Sequence, residues 1–330
     1  MHYAIRHVTR FQYTAPIAES ITEVRMHPRQ TLYQQCDAFQ LQVRPQAAVF
    51  TYEDHLHNVV HHFSQPAVHQ QLAIIAQAEV QVSPRPALPP LLPDTAWSQI
   101  DAVAATGEHW DMLAPSEFTT RTERLDALAQ ELDVRRRDDP LRLLLELNHS
   151  IHRTFAYDAA STRVDSPIDE ALAHRRGVCQ DFAHIMIALV RNYLAIPCRY
   201  VSGYLYHRRD DRSADGASHA WLDAWLPEIG WVGFDPTNNV LVGERHIEVA
   251  VGRDYHDVPP TRGVFKGLAG SELTVSVRVR AVEDGEHMPA DTEVMEMPPY
   301  RSMAEQLHAR YAETLRAMQL LQQQQQQQQQ

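Results

Sequence analysis

The sequence predicts an α+β protein with a strand-rich first part and a second part in which helices and strands mix. Short alternating or β-branched segments recur through the first 82 residues. After a proline-rich stretch they give way to apolar residues at three- and four-residue helical steps. Strands at this spacing, without a helical period between them, are typical of antiparallel sheets. We therefore expect a sandwich-like antiparallel β domain at the start of the chain.

Each element follows from its local pattern. The predicted strands of the first part are 2–13, 39–43, 59–63 and 78–82. The stretch SPRPALPPLLP at 83–93 holds five prolines, which favours a stiff, extended connection. The predicted helices are 122–132, 141–151, 167–174, 180–194 and 302–321, and the later strands are 199–205, 219–226, 231–234 and 273–279. These elements divide the chain into an N-terminal β-rich domain (1–85), a proline-rich connection (86–120), a mixed core (121–282) and a C-terminal helix with a polyglutamine tail (283–330).

Composition narrows the class of protein. The 330 residues include 30 Lys or Arg against 42 Asp or Glu, a net charge of −12 that argues against nucleic acid or an anionic membrane as partner. Three cysteines cannot form a disulfide framework. The start of the chain has no apolar signal-peptide region, and no apolar run approaches a membrane span. We expect a cytoplasmic protein with free thiols.

One of those thiols stands where a reactive cysteine is expected. The segment RRGVCQDFA places Cys179 after a glycine turn and at the start of a predicted helix. Free N–H groups at a helix N-terminus stabilise an anion and so favour the thiolate, the nucleophilic form of cysteine. Arg175 and Arg176 add positive charge nearby in sequence. On this segment alone, a nucleophile and a small buried side chain are about equally compatible with the pattern.

A thiolate nucleophile requires a proton carrier and a group that orients it. His219 begins one predicted strand and Asp235 ends the next, so the hairpin between them brings both ends together. A symmetric turn over 227–230 would set His219 opposite Asn238, and a direct pair with Asp235 then needs a bulge or an asymmetric turn. Asn238 and Asp223 are alternative orienters.

Several segments together carry a resemblance to a family. GVCQDFAH, PCRYVSGYL, SHAWLDAWLPEIGWVGFDPTNN and VGRDYHDVPPTRGVFKG resemble the core of the bacterial transglutaminase-like proteins, which are similar to papain-fold cysteine enzymes. IRHVTRFQYTAPI and HNVVHHF resemble the β-rich N-terminal domain that precedes this core. The resemblance covers residues 1 to about 280. It implies a papain-like fold for the core, with Cys179 as nucleophile, His219 as base and Asp235 as orienter.

The resemblance also implies a reaction, namely acyl transfer on a peptide or protein amide through a thioester. Hydrolysis is favoured over cross-linking, and the alternatives are a true transglutaminase with an amine acceptor or a non-catalytic peptide-binding module. The backbone N–H of Cys179 is a candidate oxyanion donor, and Tyr157 in the FAYD segment is a weaker candidate for a second. No cofactor or metal is implied.

Other residues have a structural and a functional interpretation. The histidines His55, His57, His61 and His62 favour a structural or surface role over a zinc site, because they lie on strand and turn without cysteine or carboxylate partners at zinc spacing. His184 is expected to be a packed helix histidine, and Asp181 to serve the helix N-terminus. Cys36 and Cys198 are expected to be inert. Trp221, Trp225 and Trp231 line an acyl-binding cleft or cover the hairpin, with neither preferred.

Overall fold

The computed structural model of the chain describes residues 1–282. The predicted C-terminal helix and the polyglutamine tail lie outside them. In chain order the elements are β1 His2–Ile17, β2 Glu19–Val24, β3 Gln34–Arg44, β4 Val49–Glu53, β5 Val59–Gln65, β6 His69–Val82, α1 Ala96–Thr106, α2 Trp110–Leu113, α3 Glu123–Glu131, α4 Pro140–Thr154, β7 Ala156–Tyr157, α5 Ile168–His174, β8 Arg176–Gly177, α6 Cys179–Leu189, β9 Cys198–Leu205, β10 His219–Leu226, β11 Gly230–Asp235, β12 Val240–Leu241, β13 His246–Gly252, β14 Thr261–Lys266 and β15 Ser271–Val282. A π-helical turn at Val190–Leu194 extends α6, and a 3-10 turn at Tyr255–Asp257 follows β13.

Two antiparallel four-stranded sheets form the first unit. Their strand orders are β15-β1-β6-β3 and β14-β2-β5-β4. Apolar side chains of the two sheets, among them Ile17, Val24, Phe63 and Leu72, are almost fully buried in one cluster. Because alternate residues of a strand face opposite sides, this cluster accounts for the alternating pattern seen in the sequence.

The last two strands of the described chain return to this unit. β15 pairs with β1 from His2↔Val282 to Tyr13↔Ser271, and β14 pairs with β2 from Thr261↔Val24 to Lys266↔Glu19. The domain division predicted from the sequence assigns residues 261–282 to the mixed core. Their hydrogen bonds instead lie in the two sheets of the first unit, so both ends of the described chain complete the same sandwich.

The second unit surrounds α6. This helix is apolar on nearly all sides, and every residue from Gln180 to Leu189 is buried, as expected of a helix without a polar face. It packs against a five-stranded sheet of order β12-β11-β10-β9-β13. The region predicted as a proline-rich connection contains α1 and α2 after its extended stretch. No helix within residues 1–282 has the length and apolar character needed to cross a lipid bilayer.

Gly203 allows two strands and a tryptophan to approach closely at the centre of this sheet. It pairs with His219 across β9 and β10. A Cβ atom on Gly203 would stand 2.3 Å from the Ile247 carbonyl oxygen and 2.4 Å from the Trp221 ring. The backbone oxygen cannot swing away as a flexible side chain would, so only glycine fits here.

Gly203→Ala should therefore reduce the free energy of unfolding by about 1–3 kcal/mol, measured by urea denaturation, because the added methyl group overpacks the sheet. Gly243→Ala is the matched control, since nothing lies within 4 Å of a Cβ at that position. Equal stability of the two variants would contradict the packing account.

Candidate active site

Cys179 is the first residue of α6 and is partly exposed. The turn before it is held by Asp181, whose Oδ2 accepts hydrogen bonds from the Val178 N–H at 2.8 Å and from the Thr162 hydroxyl at 2.6 Å. A Cβ on Gly177 would stand 2.7 Å from the Cβ of Asp181, so the turn that leads into α6 needs glycine at this position. Asp181 thus serves the helix N-terminus, and the first N–H groups of α6 have no acceptor within the helix.

The hairpin of β10 and β11 turns over three residues, Pro227 to Ile229, and the central one, Glu228, has a left-handed φ of 64°. The register pairs Leu226 with Gly230 and Leu222 with Phe234. This shifts the pairing by one residue from that of a symmetric four-residue turn. Asp235 therefore comes opposite Trp221, two residues from His219 and on the same face of the sheet.

His219 and Asp235 form a direct, buried pair. The His219 Nε2 lies 2.8 Å from the Asp235 Oδ2, and both side chains are almost fully buried. Burial would lower the pKa of His219, but the Asp235 carboxylate and the neighbouring Cys179 thiol outweigh it and raise that pKa. The Nδ1 has no hydrogen-bond partner within residues 1–282, which leaves it for Cys179.

Asp235 is the most densely hydrogen-bonded group of the site. Its Oδ2 accepts from His219, from the Asn238 side chain at 2.8 Å and from the His246 Nε2 at 3.3 Å. Its Oδ1 accepts from the backbone N–H groups of Thr237 at 3.0 Å and Asn238 at 3.2 Å. Burial opposes the charge of this carboxylate, but the two histidines outweigh burial and hold its pKa well below the usual range.

A second histidine, His246, also reaches Asp235, and the sequence pattern does not single it out. It begins β13, is 3% exposed, and its Nδ1 accepts a hydrogen bond from the Gly243 N–H at 3.3 Å. An accepting Nδ1 places the ring proton on Nε2, which then donates to Asp235. Nothing in the local sequence distinguishes this histidine from the other 18, because its partner lies on a different strand.

The side chains of His219, Asp235 and His246 are also the group best placed to hold a cation, since their ligand atoms lie within 4.8 Å of one another. The chemistry of the donors favours hydrogen bonds. A metal at the His246 Nε2 needs an unprotonated nitrogen, whereas the Gly243 N–H directs the proton to that atom. The three residues therefore form a hydrogen-bond network.

The loop between β9 and β10 is tied to this network through Asn238. The Asn238 Oδ1 accepts from the backbone N–H groups of Arg212 at 2.8 Å and Ser213 at 3.3 Å, while its side-chain nitrogen reaches Asp235. The next N–H of the loop, on Ala214, donates to the Tyr157 hydroxyl at 3.1 Å. Asn238 thus supports Asp235 instead of replacing it.

Asp223, the other alternative orienter, has a different partner. Its Oδ2 accepts from the Arg199 guanidinium at 2.8 and 3.0 Å. Two tryptophans of the hairpin lie at the turn end. Trp225 is six residues, or about 20 Å, along β10 from His219, and both it and Trp231 contact His109.

Trp221 is fully buried and packs against the rings of His219 and His246 at 6.0 and 5.2 Å. It supports the histidines from inside the protein. None of the three tryptophans therefore walls an open channel at Cys179.

Two further positions have structural roles. His184 is 1% exposed, stacks on Phe118 and accepts from the Tyr255 N–H at 3.1 Å. The segment VGRDYHDVPP is thereby fastened to α6, with Asp254 accepting from the Phe118 N–H at 3.1 Å. Among the clustered histidines, His57 is exposed, and the buried His61 ring contacts Phe39 at a tilted angle, with 5.1 Å between the ring centroids. Within the described residues that cluster forms no group of three metal ligands.

A positively charged cavity of about 530 Å³ lies around β7, the strand that pairs with β8 just before Cys179. It is lined by Arg153, Arg175, Arg212 and the aromatic residues Phe155 and Tyr157, and no acidic residue of the described chain lines it. β7 pairs in parallel with β8, so Tyr157 lies beside Gly177, two residues before the cysteine. Burial raises the pKa of Tyr157, and the neighbouring Cys179 raises it further.

Comparison with known proteins agrees with this architecture. Residues 126–236 match the transglutaminase-like superfamily, and residues 3–81 match the bacterial transglutaminase-like N-terminal region. The uncharacterized protein ML0607 of Mycobacterium leprae is 32% identical over 276 residues, which cover 83% of this chain and 96% of that protein. The uncharacterized Mycobacterium bovis protein Mb2599c is 34% identical over 294 residues, covering 84% of this chain and 92% of the other.

A solved structure of a candidate cysteine protease from Cytophaga hutchinsonii shares the fold. Its TM-score is 0.67 at 21% identity, over 86% of this chain and 92% of that one. The chain belongs to the transglutaminase-like superfamily and carries the bacterial N-terminal region of that group. This confirms the predicted α+β, papain-like fold with a strand-rich N-terminal region.

The three cysteines should differ sharply toward iodoacetamide at neutral pH. Burial raises the pKa of Cys36 to about 11 and that of Cys198 to about 12, so neither forms thiolate readily. Cys179 should be labelled at least about tenfold faster than either, measured by peptide mass spectrometry over time. Cys179→Ser is the control, and equal labelling of Cys36 and Cys179 would contradict the prediction.

His246→Phe should destabilise the folded protein, because the buried Asp235 carboxylate loses one hydrogen-bond donor. The expected cost is about 1–3 kcal/mol of unfolding free energy. A depressed carboxyl pKa stabilises the folded state above the unfolded pKa and loses that contribution as pH falls, so acid unfolding should begin at higher pH. His246→Gln, which keeps a donor, should restore most of the loss. His55→Phe, on an exposed histidine without a described side-chain hydrogen bond, should change nothing.

Proposed function

We propose that the protein is a cysteine-dependent enzyme that transfers the acyl group of a peptide or protein amide through a thioester, with water as the usual acceptor. The observation that carries the proposal is the His219 ring. One nitrogen is held by a buried carboxylate, and the other has no partner within residues 1–282 except the neighbouring Cys179. This is the arrangement that a thiolate–imidazolium pair requires.

In the first half-reaction the Cys179 sulfur forms a bond to the amide carbonyl carbon. The developing oxyanion faces the N-terminus of α6, where the Cys179 N–H is free to donate. The Tyr157 hydroxyl accepts from Ala214, so its own proton remains available as a second donor. The C–N bond then breaks as the His219 Nδ1 gives its proton to the leaving amine.

In the second half-reaction the His219 Nδ1 takes a proton from water while the water oxygen attacks the thioester carbonyl. The C–S bond breaks, the carboxylic acid product leaves, and the thiolate beside the imidazolium is regenerated. Asp235 remains ionised throughout, because its pKa is held well below the usual range by the two histidines against the effect of burial.

Two features support water over an amine as the acceptor. Three arginines line the cavity around β7, the strand paired with β8 just before Cys179, and their charge disfavours the approach of a cationic lysine or polyamine. A channel that protects a thioester from water needs apolar walls, and the hairpin tryptophans lie elsewhere or are buried. The positive cavity is thus better suited to hydrolysis than to amine transfer.

A second candidate has a specific observation in its favour. The protein-glutamine gamma-glutamyltransferase of Pseudomonas aeruginosa is 30% identical over 164 residues, which cover 44% of this chain and 23% of that protein. Amine transfer uses the same thioester and differs only in the second nucleophile.

We also propose that the protein works in a reducing compartment such as the cytoplasm, because the three free cysteines include the proposed nucleophile.

The test is to incubate the protein with a mixed library of peptide amides in ¹⁸O-enriched water, with and without an added primary amine. We expect an acyl adduct on Cys179 after acid quench, and carboxylate products that carry ¹⁸O. Cys179→Ala should lose turnover by at least about a thousandfold, whereas Cys36→Ala should retain it. Mass spectrometry of the trapped protein and of the products gives both results.

Each outcome separates the candidate functions. Products that contain the amine instead of ¹⁸O would favour the transglutaminase. Peptides that bind without forming an adduct or being turned over would favour a non-catalytic binding module. Full activity in Cys179→Ala would overturn the proposed nucleophile.

A further inference from the structure

The cavity around β7 has more positive charge than the structural roles of its arginines require. Arg212 donates through Nη1 to the carbonyl oxygens of His152 at 2.7 Å and Phe155 at 3.3 Å, at the C-terminal end of α4. Helix-end carbonyls need such donors, so part of this guanidinium is structural. Within the described chain, however, Arg212 forms no ion pair, and its remaining N–H groups are available to a ligand.

The other two arginines differ in whether their guanidinium groups already have partners in the protein. Arg153 is exposed in the last turn of α4, and its side chain has no hydrogen bond or ion pair within residues 1–282. Arg175 pairs with Glu131 through Nη2 at 2.6 Å and lies over the Phe155 ring at 5.4 Å. The cavity therefore has an excess of positive charge in a chain whose net charge is −12.

The pairing of β7 with β8 sets the distance between the lining of the cavity and Cys179. Adjacent strands stand about 4.8 Å apart, so the Tyr157 backbone lies about that far from Gly177 and within about 10 Å of Cys179. Arg212 belongs to the loop that Asn238 ties to Asp235. Tyr157 and Arg212 thus connect the lining of the cavity with the turn before Cys179 and with the Asn238–Asp235 pair.

We propose that this cavity binds a carboxylate of the substrate, about two to three residues from the carbonyl that Cys179 attacks. The inference rests on the proposed function and specifies its substrate class as acidic peptides. The planar guanidinium matches a carboxylate with two parallel hydrogen bonds. The carboxylate can come from a glutamate or aspartate side chain or from a peptide C-terminus.

Affinity alkylation tests this without requiring turnover. The probes are iodoacetyl-Gly-Glu-amide, its Gln counterpart, and iodoacetyl-Gly-Gly with a free or amidated C-terminus. The labelling rate of Cys179 is measured by mass spectrometry. We expect the Glu probe to react about five- to twentyfold faster than the Gln probe at low concentration, and added salt to reduce the ratio. A preference for the free Gly-Gly carboxylate would assign the site to a peptide C-terminus.

Matched variants assign the preference to the cavity. Arg153→Gln and Arg212→Gln should bring the Glu-to-Gln ratio close to one. Arg142→Gln, an exposed arginine three turns earlier on α4, should leave it unchanged. The Arg153 side chain forms no hydrogen bond or ion pair within residues 1–282, so this variant is expected to fold normally, and thermal unfolding checks this for all three variants.

Equal rates with all probes in the native protein would overturn the carboxylate site. An equal loss of preference in Arg142→Gln would also overturn it, because the effect would then come from general surface charge. Labelling by neutral iodoacetamide reports on the thiol alone. A preserved probe preference in a protein without amide turnover would count against the proposed function and leave the carboxylate site supported.

Discussion

The buried carboxylate of Asp235 is the constraint on which the site depends. A carboxylate without water is very costly unless it is fully hydrogen-bonded, and this one is 0% exposed. Five donors from four residues satisfy it. Two of those donors are histidine rings, and only one of them, His219, also faces the thiol. The same charge that must be satisfied for folding therefore sets the protonation of the proposed proton carrier.

The donors reach Asp235 from separate parts of the chain, and each brings its own support. His219 stands on β10, where Gly203 lets Trp221 pack beneath the histidines. Asn238 links the carboxylate to the loop that carries Arg212. His246 links it to β13. Because these hydrogen bonds share one buried carboxylate, a change in any of them should alter the strength of the others.

The local features of the site could be predicted from sequence, and the long-range ones could not. The start of α6 at Cys179 follows from a glycine and an apolar run, both adjacent in sequence. The face on which Asp235 lies depends on whether the turn contains three or four residues, and Pro227 to Ile229 allow either. His246 cannot be recognised, because its role exists only once β13 lies beside the hairpin. The return of β14 and β15 to the sandwich cannot be predicted from their own sequences either, because each has the pattern of an ordinary strand and nothing in that pattern identifies its partner strand.

The sandwich is not merely attached to the core. β13 is an edge strand, and an edge strand leaves backbone groups unpaired. Side-chain amides from the sandwich unit fill that edge: Gln34 exchanges hydrogen bonds of 2.7 and 2.8 Å with the Glu248 backbone, and Asn58 exchanges two of 2.8 Å with the Val251 backbone. Each amide imitates a paired strand residue, with one donor and one acceptor. Since β13 begins with His246, the N-terminal unit holds the strand that delivers a donor to Asp235. The N-terminal unit thus contributes to the geometry of the site through β13.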